Sequence, residues 1–156
     1  MKGSDLIAQA HRLARATKQR PRQVDLKRAV SDAYYAMFHE LAKECADTVA
    51  GSVATSRPKA WQQVYRSLEH GGAKSASEQA KNKNFPLEII IFAETFVEMQ
   101  NARHNADYNP AAVYVRAKVT TMITEAQAAI VSLRTAARPD RRAFVALVLF
   151  PSKRRR

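Results

Sequence analysis

Cysteine occurs once in this chain of 156 residues, at Cys45. A single thiol closes no intramolecular disulfide and builds no cysteine-rich zinc site, so a reducing cytoplasm is the expected compartment. Glycine and proline are also scarce, at four and six residues, and with Ala, Leu, Lys, Arg, Gln and Glu abundant this favours helix over sheet. Long hydrophobic runs are missing. Leu87 to Val97 is broken by Glu88 and Glu94, and the wholly apolar Ala143 to Phe150 has eight residues where a membrane helix needs about 20. Between Met1 and Lys18, residues Asp5, His11, Arg12 and Arg15 stand where a secretory peptide needs an unbroken apolar stretch. There is no Gly-rich phosphate loop, Gly-x-Ser-x-Gly elbow, His-Glu-x-x-His or Cys-x-x-Cys. The expectation is a protein with no membrane segment, no metal and no organic cofactor.

What the chain does have is positive charge, unevenly placed. The net charge of +12 divides into +6 over residues 1–30, −1 over 31–133 and +7 over 134–156. Basic ends on a nearly neutral body attract polyanions such as RNA through counterion release; terminal Lys and Arg also serve simply to solubilise.

Apolar spacing predicts five helices and a tail. Ser4 caps a first helix to about Lys18, with Leu6, Ile7, Ala10, Leu13 and Ala14 on one face. A second, from about Val24 to Val49, repeats Leu26, Val30, Tyr34, Met37, Phe38, Leu41 and Cys45 every three or four positions until Gly51. After a loop over Gly51 to Arg57, Pro58 starts a short third helix with Trp61, Val64, Tyr65 and Leu68, stopped by Gly71-Gly72. Ala73 to Asn84 lacks an apolar period and reads as a mobile surface loop. Phe85-Pro86 opens a fourth helix to about His104, apolar around most of its circumference and expected to be the most buried. Asn109-Pro110 starts a fifth to about Ala136, with Val113, Val119, Met122, Ile123, Ala126, Ile130 and Leu133. Residues 1–137 thus form a helical domain. Residues 138–156 form a basic and apolar tail, helix or strand, that seeks a partner unless it folds back. Tyr34, Trp61 and Phe92 belong to the core, and His11 and His70 to the surface.

Two places break the pattern of apolar core and charged surface. Ser31, Tyr35 and His39 stand at i, i+4 and i+8 as a polar stripe on the second helix. Arg103, His104, Asn105, Asp107 and Tyr108 gather a cation, an imidazole, an amide, a carboxylate and a phenol within about two turns. These groups also have ordinary uses: Asp107 and Asn109 as helix caps, Arg103 and Asp107 as a local ion pair, His39 as a core-flanking donor.

The run Asp32-Ala33-Tyr34-Tyr35-Ala36-Met37-Phe38-His39 resembles the Ala-Tyr-Tyr-Ala-x-Phe-His signature of small prokaryotic HEPN proteins. Arg103-His104-Asn105-Ala106-Asp107-Tyr108-Asn109-Pro110 resembles their Arg-x-x-Ala-Asp-Tyr-Asp element, with Trp61-Gln62-Gln63-Val64-Tyr65 where the family has a short intervening helix. Order and spacing agree across about residues 4–135. The resemblance implies an all-α antiparallel bundle of four to five helices that often forms a homodimer. It also implies one of two activities, metal-independent endoribonuclease or inactive RNA- or nucleotide-binding module, commonly in a toxin or defence setting with an antitoxin or nucleotidyltransferase partner.

Active members of the family carry an Arg followed by four to six residues and then a His, and here Tyr108 stands where that His would be. RNA cleavage without metal needs a base, an acid and a cation for the phosphorane. Arg103 suits the last role, because a guanidinium grips phosphate with two hydrogen bonds and stays charged. Tyr108, with an ordinary phenol pKa near 10, makes a poor base, which leaves His104 and His39 as the imidazoles. The candidate catalytic residues are therefore Arg103, His104, Tyr108 and His39, and the candidate ligand-binding residues are Arg103, Asn105, Asp107 and Tyr35. Three functions follow: RNA or nucleotide binding, RNA cleavage, and protein interaction through Ala143 to Phe150.

Overall fold

The computed structural model describes residues 2–16, 19–53 and 59–151; the expected features at Lys18, Arg57, Pro58 and Lys153 to Arg156 lie outside them. All regular structure among the described residues is helical: α1 (Gly3–Ala14), α2 (Gln23–Ala50), α3 (Ala60–Ser67), α4 (His70–Ala80), α5 (Leu87–Tyr108), α6 (Arg116–Thr135) and α7 (Arg138–Leu149), with a 3₁₀ turn at Lys81–Lys83. None of these helices is long and apolar enough to cross a membrane.

The connections between helices give the directions of the bundle. Ser31 bonds Asp107 while Tyr35 lies under Arg103, so α2 and α5 run antiparallel. Gln23 bonds Tyr114 and Glu40 bonds Arg134, so α6 runs alongside α2 in the same direction. The start of α1 meets the middle of α2, where a Cβ on Gly3 would lie 3.1 Å from the Ala36 carbonyl oxygen. The end of α1 meets the start of α6 through Arg116, which donates to the Ala14 carbonyl at 2.9 Å. Helices α1, α2, α5 and α6 are thus an antiparallel four-helix bundle. Helix α3 packs on α2, and α4 and α7 close the side between α2 and α5.

The axis of the core is α2, not α5. More than half of its 28 residues are buried, including Asp25, Ser31, Asp32 and Glu40. Helix α5 buries only the stripe of Ile89, Phe92, Ala93, Phe96, Met99 and Ala106, leaving Leu87 and Ile91 exposed. Neighbours on several sides bury a helix more fully than apolar composition does. Buried Glu40 is met by Arg134 Nε and Nη2 at 2.7 and 2.9 Å, the paired geometry that a buried carboxylate requires. Burial pushes the Cys45 thiol up to about 12, which keeps it protonated and inert.

Several expectations change. Lys2, not Ser4, is the N-cap of α1, and its N–H donates to Asp5 at 3.2 Å. The stretch read as a loop from Ala73 is helix through Ala80, and Gly71 and Gly72 lie inside that helix rather than stopping the one before. Its driving force is the buried stripe Ala73, Ala76, Ser77 and Ala80 at helical spacing, made of side chains too small to register as a hydrophobic period. Helix α6 begins at Arg116 rather than after Pro110. Buried Tyr114 exchanges two hydrogen bonds with the Gln23 side chain, at 2.9 and 2.8 Å, which holds the preceding connection out of helix. Val113 is accordingly exposed. Trp61 is half-buried rather than core, and His11 and His70 are half-buried rather than surface. The apolar octapeptide supplies the inner face of α7: Phe144, Val145, Leu147 and Val148 join the same core cluster as the other helices, while Phe150 at its end is exposed.

Candidate functional site

The polar stripe of α2 and the polar end of α5 face one another because the two helices are antiparallel. Ser31 Oγ donates to Asp107 Oδ1 at 2.6 Å. Arg103 lies one turn earlier on α5, its guanidinium carbon 5.1 Å from the Tyr34 ring centre and 5.7 Å from that of Tyr35. Stacking on two electron-rich faces holds the cation in place without neutralising it. The Arg103 side chain is 13% exposed, pairs loosely with Asp107 at 3.5 Å, and has a buried Nε with no hydrogen-bond partner. Asp107 is thus engaged from two sides, as a support for Arg103.

His104 and Tyr108 point outward from the same end of α5, their rings 4.8 Å apart. Together with Arg103, Asn105, Asn109 and Lys74 from α4 they line an open cleft of about 390 Å³ whose walls carry no carboxylate. Asn105 is committed locally, donating to the Tyr114 hydroxyl at 3.2 Å and accepting from Asn109 Nδ2 at 3.0 Å. Lys74 lay in a stretch with no apolar period, and only the helix that the alanine stripe forms brings it to Arg103.

His39 does not join this cleft. Its Nδ1 shares a hydrogen bond with the Tyr65 hydroxyl, and it lines a separate cleft between α1, α2 and α3. Besides His104, the imidazole near enough to feel the Arg103 charge is His70, whose Nδ1 is 2.5 Å from the Tyr34 hydroxyl and whose ring stacks on Phe38 at 4.0 Å. No motif announced it; His70 sits beside Gly71-Gly72, which look like a helix stop. The aromatic groups form an unbroken file. Trp61 stacks on Tyr65 at 4.9 Å and Tyr65 on His39 at 5.9 Å; Phe38 then leads to His70, and His70 to Tyr34 beneath Arg103. Among the described residues no group of three or more His, Cys, Asp or Glu side chains is placed to hold a metal ion.

Burial sets the protonation states along this file. It pushes the Tyr34 phenol above its ordinary range against the pull of Arg103, so the hydroxyl stays protonated. It holds His39 below its usual value, and it does the same to His70, where the Arg103 charge and His39 add to the effect. A base whose folded pKa is depressed stabilises the fold fully above its unfolded value. That contribution is lost as pH falls, because the unfolded chain takes the proton first. Urea unfolding should therefore show stability declining as pH drops below 6.5, and His70→Gln should flatten the decline. Comparing the two proteins cancels Asp32 and Glu44, whose carboxyls burial pushes up. An equal slope in both would remove His70 from this account.

No protein-family model matches the chain, and no curated protein or solved structure matches it.

Proposed function

We propose that the chain is a HEPN-type protein that binds RNA or a nucleotide through phosphate at the cleft between α4 and the end of α5, in a toxin–antitoxin or defence setting. One observation carries the reading. Arg103 enters an open cleft with Lys74, supported from behind by two tyrosine rings and Asp107, and the cleft walls hold no competing carboxylate. An incoming phosphate meets two cations held only by loose contacts, Arg103 to Asp107 at 3.5 Å and Lys74 to Glu78 at 3.9 Å, ion pairs worth at most about 1 kcal/mol each when part-exposed. His104 and Tyr108 supply exposed rings for a base, with stacking worth about 1–3 kcal/mol.

Cleavage is the second reading, favoured by His104 and Arg103 sharing one cleft. It offers an imidazole to move a proton and a guanidinium to hold the phosphorane charge. Anisotropy of a labelled single-stranded RNA, titrated at several salt concentrations with EDTA present, tests binding, and a gel of the same samples tests cleavage. Salt-sensitive saturation with intact RNA is the expected result. Shortened RNA supports the second reading, and no saturation with RNA, mononucleotide or inorganic phosphate removes both.

A further inference from the structure

The cleft that holds His39 is built differently from the Arg103 cleft, and its contents define a ligand. It encloses about 440 Å³ between the start of α1, the middle of α2 and α3, within the range of small-molecule sites. One wall is aromatic. Trp61, Tyr65 and His39 lie as three near-parallel rings, tilted 18° and 19° from one another. The Trp61 N–H donates to Asp47 at 2.8 Å and the Tyr65 hydroxyl is tied to His39, which fixes how both rings present themselves. All three rings are only half-buried, so the core does not seal the stack.

The charged part of the lining is mainly cationic, from Lys2, Lys43 and Arg134. Its one acid, Glu40, already accepts both hydrogen bonds of Arg134, so that pair cancels and the two lysines set the sign. Lys43 pairs at 2.7 Å with Asp47, a residue outside the cleft walls, and is half-exposed at 49%, free to swing between that carboxylate and a ligand anion.

We propose that this cleft is a second ligand site, distinct from the Arg103 cleft, that takes a nucleobase carrying a phosphate, the base against Trp61 and Tyr65 and the phosphate against Lys43 and Lys2. The two halves of the ligand follow from the two parts of the lining. A base can lie against the half-exposed rings of this wall whatever its identity, and a phosphate is the anion that ammonium groups meet as point charges. Such a unit occurs free as a mononucleotide or at the phosphorylated end of an RNA strand.

Trp61 is the chain's one tryptophan, so its fluorescence reports on this wall alone. Adenosine and uridine monophosphates should change its emission saturably. Adenosine alone and inorganic phosphate alone should each need about tenfold more or beyond. Tyr65→Ala should weaken the mononucleotides by about tenfold, Lys43→Gln should weaken them severalfold, and Arg103→Ala should leave them unchanged. Lys43 is a surface side chain, so its variant tests the site even where Tyr65→Ala fails to fold. Competition by a 5′-phosphorylated RNA, but not by its 5′-hydroxyl counterpart, would support the site and make the strand end its source. Saturation without such competition would support it with the free nucleotide as source. The proposal is overturned if no mononucleotide gives a saturable signal, if neither the Tyr65 nor the Lys43 variant weakens it, or if Arg103→Ala abolishes it. That last result would place the nucleotide in the other cleft.

Discussion

Arg103→Ala should lower affinity for single-stranded RNA by about 10- to 100-fold, the equivalent of about 1.5–3 kcal/mol for a charge-assisted hydrogen-bonded contact. The salt dependence should also become shallower by about 0.7 in the log–log slope, as for one lost phosphate contact on a single strand. The fold should survive. The substitution gives up two cation–π contacts and a loose ion pair, and also removes a buried Nε that has no hydrogen-bond partner. Arg103→Lys separates charge from geometry: it keeps the positive charge but loses the planar fork, and should fall between the parent and the alanine variant. Wild-type affinity in Arg103→Ala, with an unchanged helical circular-dichroism spectrum, would take the phosphate site away from this cleft.

Phe144→Ala should destabilise the protein by about 3–5 kcal/mol in urea unfolding, the usual cost of emptying a large aromatic from a packed core. That is a large share of the roughly 5–15 kcal/mol available to a domain. Phe144 is fully buried, edge-on to Phe85 and Phe92 at 5.9 and 6.2 Å. Removing all of α7 should cost more, because it also strips Val145, Leu147 and Val148 from the cluster and takes Arg141 away from Glu44. Deleting residues 138–156 therefore cannot test the basic C-terminal region for RNA binding. Exchanging Arg138 and Arg142, both exposed on α7, for glutamine removes charge and leaves the core face intact. A loss below about 1 kcal/mol for Phe144→Ala would mean that α7 contributes little to the packing.

The all-helical fold, the long second helix and the face of α1 were legible in the sequence because large apolar side chains mark them at a regular period. Helix α4 was not. Its buried face is alanine and serine, and its two glycines look like punctuation; only the neighbours that cover it make it a helix. The Arg103 cluster was legible as a local density of polar groups, but its link to Ser31 and Tyr35 came only with the antiparallel packing of α2 and α5. His70 and Lys74 were hidden because they reach Arg103 through α4. His39 was a candidate because the chemistry called for an imidazole, yet its position on α2 turns it to Tyr65 and into the other cleft. The end of the chain looked like a tail because an apolar octapeptide between basic residues carries no sign of whether its neighbours will cover it.

The two clefts hang from a single rod. Tyr35 lies beside one and Lys43 lines the other, and eight residues of unbroken helix separate them by about 12 Å along the axis. No hinge lies between them, so the interval is fixed. On the two assignments proposed above, a ligand too short to bridge that interval fills one cleft or the other. A strand that reaches both makes its second attachment at the high effective concentration set by its own first one. Affinity would then climb steeply at one strand length rather than evenly with each added nucleotide, and α2 would act as a ruler.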